Sequence, residues 1–69
     1  MKTIDACGIS CPEPLLMLEK ALETERELTL LVDSRNALEN CREYAMKKGY
    51  TVKVKVEKDQ FNLHIATAG

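Results

Sequence analysis

The pattern of apolar residues predicts an α+β protein, a two-layer α/β sandwich whose elements follow one another in the order βαβαββ. Alternating apolar residues indicate strands in the middle and at the end of the chain, and stretches with apolar residues at helical spacing separate the first three strands. Right-handed crossovers then place both helices on one face of a four-stranded mixed sheet. Because 69 residues are few for burying a core, we expect one domain over residues 1–69 without a deep ligand cavity.

The first half of the chain predicts a strand over about residues 2–5, a loop over residues 6–10 and a helix over about residues 12–24. Proline suits the first turn of a helix and disfavours helical geometry in the residue before it. Either Pro12 or Pro14 can therefore be the first helical residue. One face of this helix is apolar and carries Leu15, Leu18, Ala21 and Leu22.

The second half predicts a strand, a helix and a β-hairpin. The strand alternates apolar and polar residues and ends at Val32. Asp33 or Ser34, and Ser34 especially, can then cap a second helix. This helix runs to about Lys48 and is stopped by Gly49.

The predicted hairpin has two apolar-polar runs joined by a tight turn at residues 58–59, and one of its faces is buried. The opposite face of the sheet carries Lys53, Lys55 and His64, which we expect to contact water or a partner. The buried face carries Val52, Val54, Val56, Phe61, Leu63 and Ile65.

Composition argues against several classes of protein. A net charge of −1, no tryptophan and few aromatic residues do not suit a nucleic-acid binder. No stretch is long and apolar enough to span a membrane, and no signal-peptide core follows the first residues, so we expect a cytoplasmic protein. Three cysteines are an odd number in a reducing compartment, which argues against a disulfide framework.

Cys11 is the strongest candidate for chemistry, because it lies at or just before the start of the first predicted helix. The positive end of the helix dipole favours a thiolate over a thiol and so favours nucleophilic reactivity. Asp5 is predicted to order the loop through bonds from its side chain to the backbone, and Gly8 to adopt a positive φ or permit a close approach. Glu13 is expected to point toward solvent or a partner.

The remaining candidates are weaker. Cys7 can be either a second, resolving thiol or a buried loop residue, whereas Cys41 falls on the apolar face of the second helix and is predicted to pack in the core. Asp33 is expected to cap a helix. A metal site would need ligands from separate elements, and we predict none.

Residues 5–14, Asp-Ala-Cys-Gly-Ile-Ser-Cys-Pro-Glu-Pro, resemble the signature Asp-x-x-Gly-x-x-Cys-Pro-x-Pro of the TusA/SirA/YedF sulfur-carrier family. The likeness covers nearly the whole chain. Residues 32–33, 37–40 and 48–50 are most similar to the YedF branch, in which a second domain often follows. The resemblance also implies the two-layer sandwich.

The resemblance implies that Cys11 accepts a sulfane sulfur as a persulfide and transfers it as a sulfurtransferase-like carrier without a cofactor. The sulfur comes from a cysteine desulfurase or another persulfide donor and passes to an acceptor sulfur-relay protein. Family members serve tRNA thiolation, molybdenum-cofactor and sulfur-oxidation pathways. The fixed residues of the signature that accompany Cys11 are Asp5, Gly8, Pro12 and Pro14, and we expect Cys7 and Glu13, at its variable positions, to support the site as well.

One position departs from the family, since many members carry arginine or another residue where this chain has Cys7. A thiol there could attack a persulfide on Cys11 and release sulfide or store sulfur. The alternative function is therefore a thiol redox-responsive binding or regulatory module that uses Cys7 and Cys11.

Overall fold

The computed structural model describes residues 2–9 and 13–67, and these residues form the predicted α+β sandwich. Within them, the strands make a four-stranded mixed sheet in the order β1-β2-β4-β3. The elements are β1 (Lys2–Asp5), α1 (Glu13–Ala21), β2 (Glu27–Val32), α2 (Arg35–Lys47), β3 (Tyr50–Val56) and β4 (Phe61–Thr67). β1 is parallel to β2, and β4 is antiparallel to both of its neighbours. The predicted element order and fold class are confirmed.

The two helices pack against each other and lie on one face of the sheet. The core fills the space between the helices and that face. α2 contributes the small side chains of Ala37, Cys41 and Ala45, spaced by four residues, so that a narrow stripe of the helix meets the sheet. Cys41 is fully buried, which confirms its predicted place in the core. The other buried apolar residues are Ala6, Leu18, Ala21, Leu28, Leu30, Val32, Leu63 and Ile65.

α1 ends earlier than predicted, at Ala21 rather than at Thr24. The backbone N–H groups of Glu23 and Thr24 donate to carbonyls three residues back, at 3.2 Å each, and the Thr24 hydroxyl donates to the Ala21 carbonyl at 3.4 Å. These tighter bonds close the last turn of the helix. Leu22 still packs against the core, but from the turn and not from the helix.

α2 begins and ends as its sequence predicts. Ser34 has extended backbone geometry, and its side-chain oxygen accepts the Ala37 N–H at 3.1 Å, which makes it the N-cap. Gly49, with a φ of +91°, follows the end of the helix and turns the chain into β3.

The prediction of a continuous buried face on the hairpin is wrong at the end of β3. Tyr50 and Val52 are half-buried against the core, but Val54 and Val56 keep 38% and 70% of their surface exposed. The alternation itself is correct, because Val54 pairs with the buried Leu63 across the sheet. The packed core extends along β3 no further than Val52, so the last two valines lie beyond it.

Candidate functional site

Three connecting segments meet at one end of the sheet, which we call the loop end. Asp5 pairs with Leu31 and Val32 pairs with Phe61, so the carboxyl ends of β1 and β2 lie beside the start of β4. The connecting segments at these strand ends are residues 6–9, which follow β1, residues 33–34, which follow β2, and residues 57–60, which join β3 to β4. The segment that leads toward Cys11 is therefore flanked by the β2–α2 connection and by the hairpin turn.

The described part of the cysteine loop, residues 6–9, is held in a turn by its own backbone and by Asp5. The Ala6 N–H donates to the Leu31 carbonyl at 2.8 Å and so extends the β1–β2 pairing, and Ile9 N–H donates to the Ala6 carbonyl at 3.3 Å. The Asp5 carboxylate accepts the Cys7 N–H at 3.0 Å, as predicted for its loop-ordering role. Gly8 has a φ of +79°, which confirms the predicted positive φ.

Asp33 has a different role from the predicted cap. Its Oδ2 accepts the Gly8 N–H at 2.7 Å, while Ser34 caps α2. A carboxylate at the end of β2 therefore fastens the turn that follows β1. Local capping preference could not reveal this contact, because the two residues are 25 positions apart and are brought together only by the parallel pairing of β1 and β2.

Cys7 is half-buried and is hydrogen-bonded through its sulfur. Its Sγ–H donates to Oε1 of Gln60, on the hairpin turn, over 3.4 Å. Burial of the thiol, a hydrogen bond to Asp5 and the negative charges of Asp5 and Asp33 all raise the pKa of Cys7 above its ordinary value. The thiolate of Cys7 is therefore disfavoured, and Cys7 holds less of the nucleophilic form than an ordinary cysteine does.

The start of α1 forms the other flank of the signature. α1 begins at Glu13 in the described residues, so Pro14 lies in its first turn and is not its first residue. Pro14 is fully buried, whereas Glu13 is exposed as expected. Cys11 and Pro12 lie outside the described residues, so the structure does not test their predicted roles.

The other candidates lie away from this turn. His64 Nε2 and Glu27 Oε2 lie 2.7 Å apart, within hydrogen-bond distance, on the face of the sheet opposite the helices, and both side chains are substantially exposed. Lys53 and Lys55 are exposed on the same face, as predicted. Over residues 2–9 and 13–67, no group of three or more histidine, cysteine or acidic side chains is arranged to hold a metal ion.

The sequence interpretation missed Gln60 as a residue of the site, and it named Asp33 only as a possible helix cap. Asp33 follows the end of β2, and Gln60 precedes the start of β4. Knowledge of how β1 pairs with β2, and β2 with β4, would have placed both residues at the loop end. The polar character of each residue alone carried no such signal, since aspartate is an ordinary turn residue and glutamine is ordinarily exposed.

Comparison with known proteins identifies the family of the chain that carries this loop. The sequence model of the family described as Sulfurtransferase TusA matches residues 2–67, nearly the whole chain. The chain belongs to the TusA family. A protein of Methanocaldococcus jannaschii named "putative sulfur carrier protein" is 44% identical over 55 residues, which cover 75% of this chain and 73% of the relative.

The fold of this TusA-family chain is also that of a solved relative. The crystal structure of a SirA-like protein from Desulfitobacterium hafniense superposes with a TM-score of 0.84 at 31% identity, covering 94% of this chain and 95% of the other. The resemblance to the TusA/SirA family is thereby confirmed, while the assignment to the YedF branch stays a prediction. In the described part of the chain no helix has the length and apolarity needed to cross a membrane.

Proposed function

We propose that this protein is a sulfur carrier that accepts sulfane sulfur as a persulfide on Cys11 and relays it to an acceptor protein. The observation that carries the proposal is the family match along residues 2–67 in a chain whose Cys11-Pro12-Glu13-Pro14 motif stands at the entry to α1. The family and the named relative support sulfur carriage in general. The motif supports Cys11 as the thiol that holds the sulfur.

The position of the motif favours an anionic sulfur. Cys11 stands two residues before Glu13, the first residue of α1. The N-terminus of a helix carries partial positive charge, which favours a thiolate before transfer and a persulfide anion after it. Cys7, whose pKa is raised, lacks this setting, so the two thiols of the loop are suited to different roles.

The segments on both sides of residues 10–12 are well anchored. On one side, Asp5 and Asp33 accept backbone N–H groups of the loop at 3.0 and 2.7 Å. On the other side, Pro14 is fully buried in the first turn of α1. The described parts of the signature, on either side of the reactive cysteine in sequence, are therefore fixed to the sheet and to the core.

The transfer step is an exchange at sulfur. The Cys11 thiolate attacks the terminal sulfur of a persulfide on the donor, a sulfur–sulfur bond forms to Cys11, and the donor's own sulfur–sulfur bond breaks. The donor cysteine leaves as a thiolate, so no external oxidant or reductant is consumed. Attack by an acceptor thiolate on the new persulfide repeats the exchange and regenerates the Cys11 thiolate.

The partners we propose are a cysteine desulfurase or another persulfide donor, and an acceptor sulfur-relay protein. Transfer between two protein cysteines needs neither a cofactor nor a nucleic acid at this step. The proposed place of action is the cytoplasm, where thiols are kept reduced. A redox module that uses Cys7 and Cys11 is not favoured, because the family and the named relative both point to sulfur carriage.

The test is intact mass spectrometry of the reduced protein after incubation with a cysteine desulfurase and cysteine. We expect a gain of one or more sulfur atoms that is lost in Cys11→Ser. Cys7→Ser is the matched control, because it removes a neighbouring thiol from the same loop, and it should load sulfur like the wild type.

Sulfur gain that persists in Cys11→Ser would show that another residue carries the cargo. If neither the desulfurase nor inorganic polysulfide loads the folded wild-type protein, the carrier function itself is wrong. Circular dichroism of each variant separates a lost sulfur acceptor from a lost fold.

A further inference from the structure

A second thiol close to a persulfide in sequence is a hazard for a sulfur carrier. In the reaction Cys7–SH + Cys11–S–S⁻ → Cys7–S–S–Cys11 + HS⁻, the Cys7 sulfur bonds to the Cys11 sulfur and the persulfide bond breaks. The outer sulfur is reduced to sulfide and takes the Cys7 proton, while the two cysteine sulfurs are oxidised to a disulfide. The carrier would lose its cargo and its reactive thiol in one step.

The surroundings of Cys7 oppose this reaction by holding it as a thiol. Its S–H donates to Gln60 Oε1 at 3.4 Å, and the residue is half-buried at the loop end of the sheet. A hydrogen bond donated by a neutral thiol stabilises the protonated form, because the thiolate has no proton to donate. Gln60 therefore contributes to the weak nucleophilicity of Cys7.

Carboxylates from two further segments act in the same direction. Asp5, at the end of β1, and Asp33, after β2, both raise the pKa of Cys7. They also bind the backbone N–H groups of Cys7 and Gly8, so the charges that oppose a thiolate are held close to it. On the hairpin turn, the Glu57 carboxylate accepts a hydrogen bond from the Asn62 amide at 2.8 Å, and the other charged residues of the turn are Lys58 and Asp59.

We propose that Cys7 is a protected thiol and that Gln60 and Asp33 are positioning residues that keep it from resolving a persulfide on Cys11. The inference rests on the proposed carrier function for its purpose, but the protection of Cys7 can be measured without any sulfur transfer. It explains how a carrier retains sulfur on one cysteine with another only four positions away in sequence. Under this proposal, Cys11 carries the sulfur and Cys7 stays an unreactive thiol.

The first experiment measures alkylation of Cys7 by iodoacetamide at neutral pH in the Cys11→Ser variant, with the modified peptide identified by mass. In this variant, Gln60→Ala removes the acceptor and uncovers the sulfur, and we expect alkylation about three- to tenfold faster. Gln60→Glu is the matched control, because it keeps an acceptor and adds a negative charge, and it should slow alkylation.

Asp33→Asn provides an independent variant, since it removes a charge but keeps an oxygen that can accept the Gly8 N–H. We expect faster alkylation at neutral pH and a pH profile displaced toward lower pH. A purely structural role for these residues would not produce opposite effects in Gln60→Ala and Gln60→Glu. Equal rates in these two variants, or a Cys7 as reactive as a cysteine in an unfolded peptide, would overturn the proposal.

The second experiment tests the consequence for the carrier. Protein loaded by inorganic polysulfide is followed for sulfide release and for the loss of mass that accompanies the Cys7–Cys11 disulfide. Gln60→Ala should release sulfide several-fold faster than the wild type, and Cys7→Ser in the same variant should restore slow release. Acceleration that persists without Cys7 would contradict the proposal. If Cys11 takes up no sulfur, the carrier function fails, and the alkylation rates still decide whether Cys7 is protected.

Discussion

Replacing Gly8 with alanine tests how far the cysteine loop depends on one backbone conformation. A Cβ added at Gly8 would meet no atom within 4 Å, so steric overlap contributes nothing to the cost. The φ of +79° does contribute, because a side chain in the left-handed region costs about 1–2 kcal/mol. Alanine also restricts the unfolded chain, which returns about 0.4–1 kcal/mol. We therefore expect a net loss of about 1 kcal/mol in the free energy of unfolding.

Gly49→Ala is the matched control. Gly49 has a φ of +91° and equally open surroundings, but it follows α2, away from the cysteine loop. Both variants should lose about the same stability in urea denaturation, with a fall in Tm of about 4–8 °C for each kcal/mol in a domain of this size. A small domain holds roughly 3–5 kcal/mol, so both variants stay more than about 90% folded at 25 °C.

Because both variants should lose the same stability, a difference between them in sulfur loading reports the effect of the cysteine loop itself. Sulfur loading of Cys11 from a desulfurase should be slowed in Gly8→Ala and unchanged in Gly49→Ala, because only the first alters the turn that leads to the motif. Gly8→Asn should recover part of the loading rate, since asparagine tolerates the left-handed region better than alanine. The reasoning is refuted if Gly8→Ala is as stable as the wild type, or if both alanine variants load sulfur at the same reduced rate.

The remaining predictions concern the cap, the core and the second thiol. Ser34→Ala should lower the free energy of unfolding by about 1 kcal/mol in urea denaturation and leave sulfur loading unchanged. Ser34→Asp should keep the stability, because aspartate also caps helices. A loading defect in a folded Ser34→Ala would contradict this prediction. Cys41→Ala should cost about 1–2 kcal/mol because it leaves space in a fully buried site, yet it should load as much sulfur as the wild type in the mass assay. The raised pKa of Cys7 means that the folded state holds its proton more tightly than the unfolded chain does. In Cys11→Ser, this contribution to the free energy of unfolding should be complete at neutral pH and be lost as the pH rises through the pKa of Cys7 in the folded state. The double variant Cys7→Ser,Cys11→Ser should lack this loss, and the same dependence of unfolding on alkaline pH in both proteins would contradict the prediction.

Much of the fold follows from periodicity and punctuation in the sequence. The alternation ending at Val32, the Ser34 cap and the Gly49 stop all lie where they were predicted, because each depends on interactions within a few residues. The end of α1 was misplaced by three residues. The choice between another helical turn and tighter bonds at Thr24 depends on the small energy difference between two hydrogen-bond patterns, and the apolar pattern continues through both.

The exposure of Val54 and Val56 illustrates a different limit. Alternation assigns both residues to the face on which the helices pack, and the pairing of β3 with β4 agrees. Whether that face is covered at a given residue depends on where α2 lies across the sheet. The small side chains of α2 set how closely it packs, but its path over β3 and β4 is a property of the assembled layers.

The sequence by itself determined the fold class, the helix that follows the cysteine motif, and the family to which that motif belongs. Those features depend on local spacing, on backbone conformations that glycine and proline favour, and on a signature read along the chain. Only the tertiary structure decided that Asp33 binds Gly8 and that Gln60 binds Cys7. It also decided that burial and the carboxylates of Asp5 and Asp33 raise the pKa of Cys7. These contacts join residues 25 and 53 positions apart, and strand pairing brings them together at one end of the sheet. The reactivity of a cysteine depends on such neighbours, so the sequence could name Cys7 as a second thiol but could not show whether its surroundings favour or disfavour its thiolate.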